Sequence, residues 1–201
     1  MNFLAHLLLS DGFGPVMVGN FMGDFIKGKQ VEEYDPEIQK GIWLHREIDQ
    51  YTDQHPTVLR TKQRLRPRFR HYSPVVSDVF YDHFLANAWD QYADGSLASF
   101  ADQAYGALRD HRQVLPERAQ FVLPYMIRNN WLVGYKEIEG IRRALTGMAR
   151  RASFVSGMEH AHQALLADYE DFEEEFHEFF PQLVSHCQSF LAGYSGPGTA
   201  K

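Results

Sequence analysis

The chain of 201 residues has a single cysteine, Cys187, so no internal disulfide can form, which fits a reducing cytoplasm. No stretch approaches the roughly 20 apolar residues that a membrane span needs. The opening "MNFLAHLLLSDGFG" lacks a basic start and a small-residue cleavage site, so it is not read as a signal peptide. Alternation of apolar and polar residues is missing, and with it any argument for strands. No repeat of fixed period or low-complexity block occurs. There is no GxSxG elbow, Walker loop or dinucleotide fingerprint, which removes three common enzyme signatures. Positive charge is also scarce: 20 Lys and Arg against 26 Asp and Glu leave a net charge of −6. That balance argues against a general nucleic-acid binder.

What is present points to helices. Hydrophobic residues make up 44% and aromatics 14%, enough for a substantial core. "DPEIQKGIWLHREIDQYTDQHP" opens on Asp35–Pro36, an N-cap and N1 pair, and stops before Pro56. "SPVVSDVFYDHFLANAWDQY" repeats the device at Ser73–Pro74. Further helices are expected from Ser96, from near Pro116 with a kink at Pro124, over "KEIEGIRRALTGMARRA", and from about Met158 to Phe190, bent or broken near Pro181. The expectation is one all-α domain, a helical bundle over 1–194, with a flexible tail over 195–201.

Charge is unevenly placed. "RTKQRLRPRFR" carries Arg60, Lys62, Arg64, Arg66, Arg68 and Arg70 and no acid, whereas "DYEDFEEEFHEF" near the far end is strongly acidic. The basic segment is either a landing site for an acidic partner or a solvated helix face with a loop.

Polar residues inside apolar runs are the second signal. Val76, Val79, Phe80 and Phe84 follow helical spacing. His83 falls within that stripe, while Asp82 and Asp78 lie on nearly one face, one turn apart. Ile38, Ile42 and Ile48 mark a second stripe, and His45 and Asp49 occupy it at i, i+4, a spacing that can present two ligands to one ion. Asp53 lies one turn further. His6 sits in "NFLAHLLL", and Asp24 in "GNFMGDFIKG" beside glycines that permit close backbone approach. Each has an ordinary alternative. A core histidine can bond a carbonyl, a His–Asp pair can be a plain ion pair, and Asp78 can be a cap or a surface acid. Together, however, these groups would be expensive to bury without a cation to offset their desolvation. Imidazoles and carboxylates without thiolate suit Mn²⁺, Fe²⁺, Mg²⁺ or Zn²⁺. An open position on such an ion activates water, which points to hydrolysis of a phosphoester. Arg46, beside His45, is placed either to steady the phosphate or simply at the surface. Cys187 and His186 point about 100° apart on a helix and make a poor nucleophile–base pair.

"MNFLAHLLLS", "GNFMGDFIKG", "GIWLHREIDQYTDQHP" and "SDVFYDHFLANAW" resemble, in this order and at similar separations, the acyl carrier protein phosphodiesterases. The resemblance continues loosely through "WLVGYKEIEGIRRALTGMARR". It implies an all-helical fold distantly like the HD phosphohydrolases and a divalent metal, typically Mn²⁺. The implied reaction releases 4′-phosphopantetheine from holo-acyl carrier protein in the cytoplasm. Asp82–His83 reverses the His-Asp order of the HD enzymes, so their ligand map does not transfer. On helix geometry the candidate ligands are His6, Asp24, His45, Asp49, Asp78, Asp82 and His83, with Asp24, Arg46 and Asp82 as candidate catalytic groups. Arg60, Lys62, Arg64, Arg66, Arg68 and Arg70 would dock the acidic carrier protein, with no membrane or nucleic acid involved. A metal phosphohydrolase for a small phosphoester or nucleotide and a non-enzymatic helical binding protein are the alternatives.

Overall fold

Eleven α-helices joined by short 3₁₀ turns, and no strand, make up residues 1–196, which the computed structural model describes. They are α1 (Phe3–Leu8), α2 (Pro15–Met22), α3 (Pro36–Gln54), α4 (Pro56–Phe69), α5 (Ser73–Asn87), α6 (Leu97–Asp110), α7 (Glu117–Arg128), α8 (Trp131–Gly134), α9 (Ile138–Ala149), α10 (Ala161–Ala167) and α11 (Tyr169–Gly193). The all-α expectation therefore holds. The tail expected over 195–201 lies outside the described residues except for its first two.

The helix starts follow local chemistry. Pro36 and Pro56 occupy first-turn positions, where a missing N–H costs nothing. Ser96 accepts a hydrogen bond from the Ser99 N–H at 3.1 Å and caps α6. The stretch after Pro56 is helical, so the basic segment is a helix face. Of the bend or break expected near Pro181, the break is not there. The chain breaks at Asp168, and Pro181 sits inside α11.

α5 is the central helix. Every residue from Val79 to Ala86 is buried, Asp82 and His83 included. Asp78 and Asp82 both turn to the start of the chain, but His83 turns away to Tyr135 and Tyr169, so the expectation that all three share one edge of a single apolar face does not hold. Around α5 lie α1, α4, α9 and α11. Phe172 and Phe176 of α11 meet Phe80, Tyr81 and Phe84 in edge and tilted contacts at 5.3–6.0 Å.

α2 and α3 make the tightest pairing, and two glycines permit it. A Cβ on Gly41 would fall on the Val16 carbonyl oxygen and the Gly19 backbone, and one on Gly19 would fall on the Ile38 carbonyl. This close approach sets His45 of α3 against the polypeptide that follows α2. We expect Gly41→Ala to force the helices apart and lower stability by about 1–3 kcal/mol, read as a shifted midpoint in urea unfolding.

Candidate metal centre

Four side chains converge where α1, α3 and the 3₁₀ turn Gly23–Phe25 meet. His6 Nε2 lies 3.2 Å from Asp49 Oδ1, and His45 Nε2 lies 3.2 Å from Asp49 Oδ2. Asp24 Oδ1 approaches His45 Nε2 at 3.4 Å from the solvent side. The two imidazoles stack with centroids 4.1 Å apart and planes 20° from parallel. Both histidines are buried, Asp49 is half-buried and Asp24 is exposed.

Asn20 sets the ring orientation. Its Nδ2 donates to the His6 carbonyl (2.7 Å) and to Ser10 Oγ (2.9 Å), which leaves Oδ1 as an acceptor facing His6 Nδ1 at 2.8 Å. The Asn20 backbone carbonyl faces His45 Nδ1 at 2.9 Å. Both oxygens can only accept, so both Nδ1 atoms carry a proton and both Nε2 atoms are turned to the cluster, where a cation would displace the proton His45 holds. Gly23 completes the fit, because a Cβ there would overlap the His45 ring.

The electrostatics suit a cation. Burial, and then the neighbouring His45, pushes His6 down. Burial opposes a charge on His45 as well, but its bonds to Asp24 and Asp49 win and raise it to about 9. Burial likewise disfavours ionised Asp24 and Asp49, yet the histidines hold both carboxyls below the usual range. A proton on His45 is thus the counter-charge between two carboxylates. Donor atoms about 3 Å apart are also what one ion with ligands near 2.1 Å requires. The atoms of His6, His45 and Asp49 all lie within 4.8 Å of one another. These residues fit a divalent cation.

Other candidates go elsewhere. Asp82 is fully buried, and its carboxylate accepts from the N–H groups of Leu4 (2.7 Å), Asn2 (3.3 Å) and Ala5 (3.3 Å). It satisfies the free donors at the start of α1 and so anchors the helix that carries His6. Burial pushes Asp82 up to about 7 against the pull of these donors. His83 has neither nitrogen free: Nδ1 meets the Tyr135 carbonyl at 2.8 Å and Nε2 the Tyr169 hydroxyl at 3.0 Å. It is the ordinary core histidine bonded to a carbonyl. Asp78 lies 3.1 Å from the Met1 nitrogen, which is itself 4.0 Å from Asp49, so it borders the cluster without joining it. Arg46 reaches the Gly28 carbonyl at 3.3 Å and lies over the Trp43 ring, turned from the cluster. Burial pushes the Cys187 thiol up to about 12, consistent with an inert core cysteine.

The basic segment is divided. Arg60 pairs with Glu175 and Glu178, Arg64 with Asp171 and Glu175, and Lys62 with Asp53. The acidic stretch of α11 therefore neutralises part of the basic one. Arg66, Arg68 and Arg70 are exposed and make no ion pair among the described residues. Asn20 and Gly23 were missed as site residues. The available sign was a lone amide among Val18, Phe21 and Met22, in the same stretch that supplied Asp24.

A sequence profile of the acyl carrier protein phosphodiesterase family matches residues 1–183. A protein of Photorhabdus laumondii carrying that name is 33% identical over 190 residues, covering 94% of this chain and 96% of its own length. Its namesake in Yersinia pestis is 34% identical over 189 residues, 94% and 98% of the two chains. A Salmonella newport protein of the same name is 32% identical over 188 residues, 93% and 97%. No solved structure matches the chain, and the HD-like character of the fold stays an expectation. No helix among the described residues is long and apolar enough to cross a membrane.

Asp82→Asn separates anchoring from ligation. We expect it to lower stability by about 1–3 kcal/mol through mismatched buried donors, while the folded fraction keeps its metal, measured by thermal melts alongside elemental analysis. Gly23→Ala should do the reverse, weakening metal binding about 10–100-fold by displacing His45, read from a metal titration.

Proposed function

The chain belongs to the acyl carrier protein phosphodiesterase family, and on that premise we propose that it hydrolyses the phosphodiester of holo-acyl carrier protein. The products are 4′-phosphopantetheine and the apo protein. The observation that carries this reading is the pair of imidazole Nε2 atoms, each with its Nδ1 held by an Asn20 oxygen, aimed at one shared carboxylate.

His6, His45 and Asp49 would hold a divalent cation, Mn²⁺ first, with Mg²⁺, Fe²⁺ and Zn²⁺ as the other candidates. Asp24 closes the set from the open side. When bound, the cation activates water and clamps phosphoryl oxygens. The protein's own groups do the rest. Asn20 holds the Nδ1 side of both rings and thereby fixes their orientation, so the donors need no rearrangement when substrate arrives. Asp24, exposed and ionised, is placed to take a proton from the water at the solvent side. Asp82 acts at one remove by fixing α1, and Asp78 contributes negative charge beside the Met1 nitrogen. Water adds to phosphorus, the bond from phosphorus to the carrier serine breaks, and the serine oxygen takes up a proton. We leave Arg46 out of this step, since its side chain is committed to Gly28 and Trp43. We assign the reaction to the cytoplasm, where a lone thiol such as Cys187 stays reduced.

The test is incubation with holo-acyl carrier protein, followed by mass spectrometry for the shift to the apo form. Chelation should stop the conversion, and returning Mn²⁺ should restore it. Asp49→Asn should lower conversion at least about 100-fold, with helical content by circular dichroism unchanged. Cleavage of a nucleotide or other small phosphoester, with the carrier protein untouched, would replace the reading with a small-substrate phosphohydrolase. Protein that neither binds metal nor hydrolyses anything would be a helical binding protein.

A further inference from the structure

The basic residues of α4 do not form one patch. Residues four apart on a helix share a face, and residues two apart lie about 200° round the axis. Arg60 and Arg64 therefore share the face turned to α11, where acids already neutralise them. Lys62, paired with Asp53, and Arg66, which makes no ion pair among the described residues, share the opposite face, so the unpaired charge there is that of Arg66. With Arg70 they line a groove of about 700 Å³ that also takes in Leu59, His71 and Pro74.

Three further observations mark this groove. Arg70 holds φ at +50° with ψ at −122°, a conformation unfavourable for a residue with a Cβ, and such outliers gather where function fixes a side chain. The His71 ring meets Phe154 edge-on at 6.4 Å, bringing the loop after α9 to the groove's end. On that loop Phe154 is 72% and Val155 99% exposed, next to exposed Arg150 and Arg151. An exposed apolar tip that follows two exposed arginines, beside a cationic groove, is the pattern of a partner surface.

Two helices relate the groove to the metal centre. Lys62 Nζ touches Asp53 at 2.6 Å, and Asp53 is one turn along α3 from Asp49. Pro74 at the groove is one turn along α5 from Asp78.

We propose that this groove and the Phe154–Val155 tip dock an acidic protein face carrying an apolar side chain among its carboxylates. Under the reading above, on which this part rests, that protein is the acyl carrier protein. Charge complementarity selects an acidic partner. The concave shape, in a chain of net charge −6, favours a protein over an anionic bilayer, which is flat and would repel the rest of the surface. Arg60 and Arg64 are excluded from the docking set.

Binding and turnover are measured separately, with holo-acyl carrier protein as the probe. Wild type, Arg66→Glu, Phe154→Ser and Arg128→Glu are compared by titration calorimetry and by initial rates. Arg128→Glu makes the same charge change on α7, outside the groove, and should match wild type. Arg66→Glu and Phe154→Ser should each weaken binding and raise KM about 10-fold, with kcat within about twofold, and added salt should weaken wild-type binding. Binding that is lost in these variants, from a wild type that does not convert the carrier, upholds the docking surface and sinks the hydrolase reading. Conversion with KM and affinity unchanged in both variants overturns the docking surface and leaves the hydrolase reading standing. No binding by wild type, or binding only to phosphatidylserine vesicles, also overturns it.

Discussion

Asn20 makes four polar contacts from a fully buried position, and the metal centre depends on where its two oxygens point. A histidine can offer either nitrogen to a cation, and the choice is made by whatever the other nitrogen bonds. Here one side-chain oxygen and one backbone oxygen of the same residue make that choice for both rings. The stacking of His6 on His45, and their joint hold on Asp49, follow from it. Asn20 can serve in this way because α2 lies close against α3, and α2 lies close because Gly19 and Gly41 carry no Cβ. The chain of causes runs from two missing methyl groups to two imidazole nitrogens turned to one carboxylate.

Buried charge is handled in two ways. Asp82 is satisfied by backbone donors at the start of α1, so it stabilises structure and leaves the chemistry to others. Glu175, buried in α11, takes Thr61 Oγ1 at 2.6 Å and the guanidinium groups of Arg60 and Arg64 at 3.4 Å. Thr61 in turn meets the Tyr81 hydroxyl at 2.6 Å. The most basic and the most acidic stretches of the chain thus face each other across one helix pair. Removing one partner from such a buried network leaves the other uncompensated, which is why these residues are tied to the packing of α4 on α11.

Much of this was readable from the residues in order. Helix class followed from spacing, from the start signals at Asp35–Pro36, Ser73–Pro74 and Ser96, and from Pro56 read as a stop. The His45–Asp49 pair was legible because i, i+4 on one helix is a local relation that tertiary packing does not alter. His6 and Asp24 stood out as polar groups in apolar company. The Asp82–His83 doublet misled because placing residues on one edge of a helix presumes a single buried face. α5 is enclosed on every side, so adjacent residues 100° apart reach different neighbours: α1 for Asp82, and Tyr135 and Tyr169 for His83.

The sequence by itself determined the helical class, the family and the three segments that meet at the metal centre. Only the tertiary structure decided which carboxylates face a cation and which cap a helix, which basic residues are already neutralised, and that Asn20 orients both rings. The physical reason is range. Spacing along a helix fixes which side chains share a face, but the partner across that face comes from elsewhere in the chain. Asp82 lies 78 residues from Leu4, and Arg64 lies 107 from Asp171.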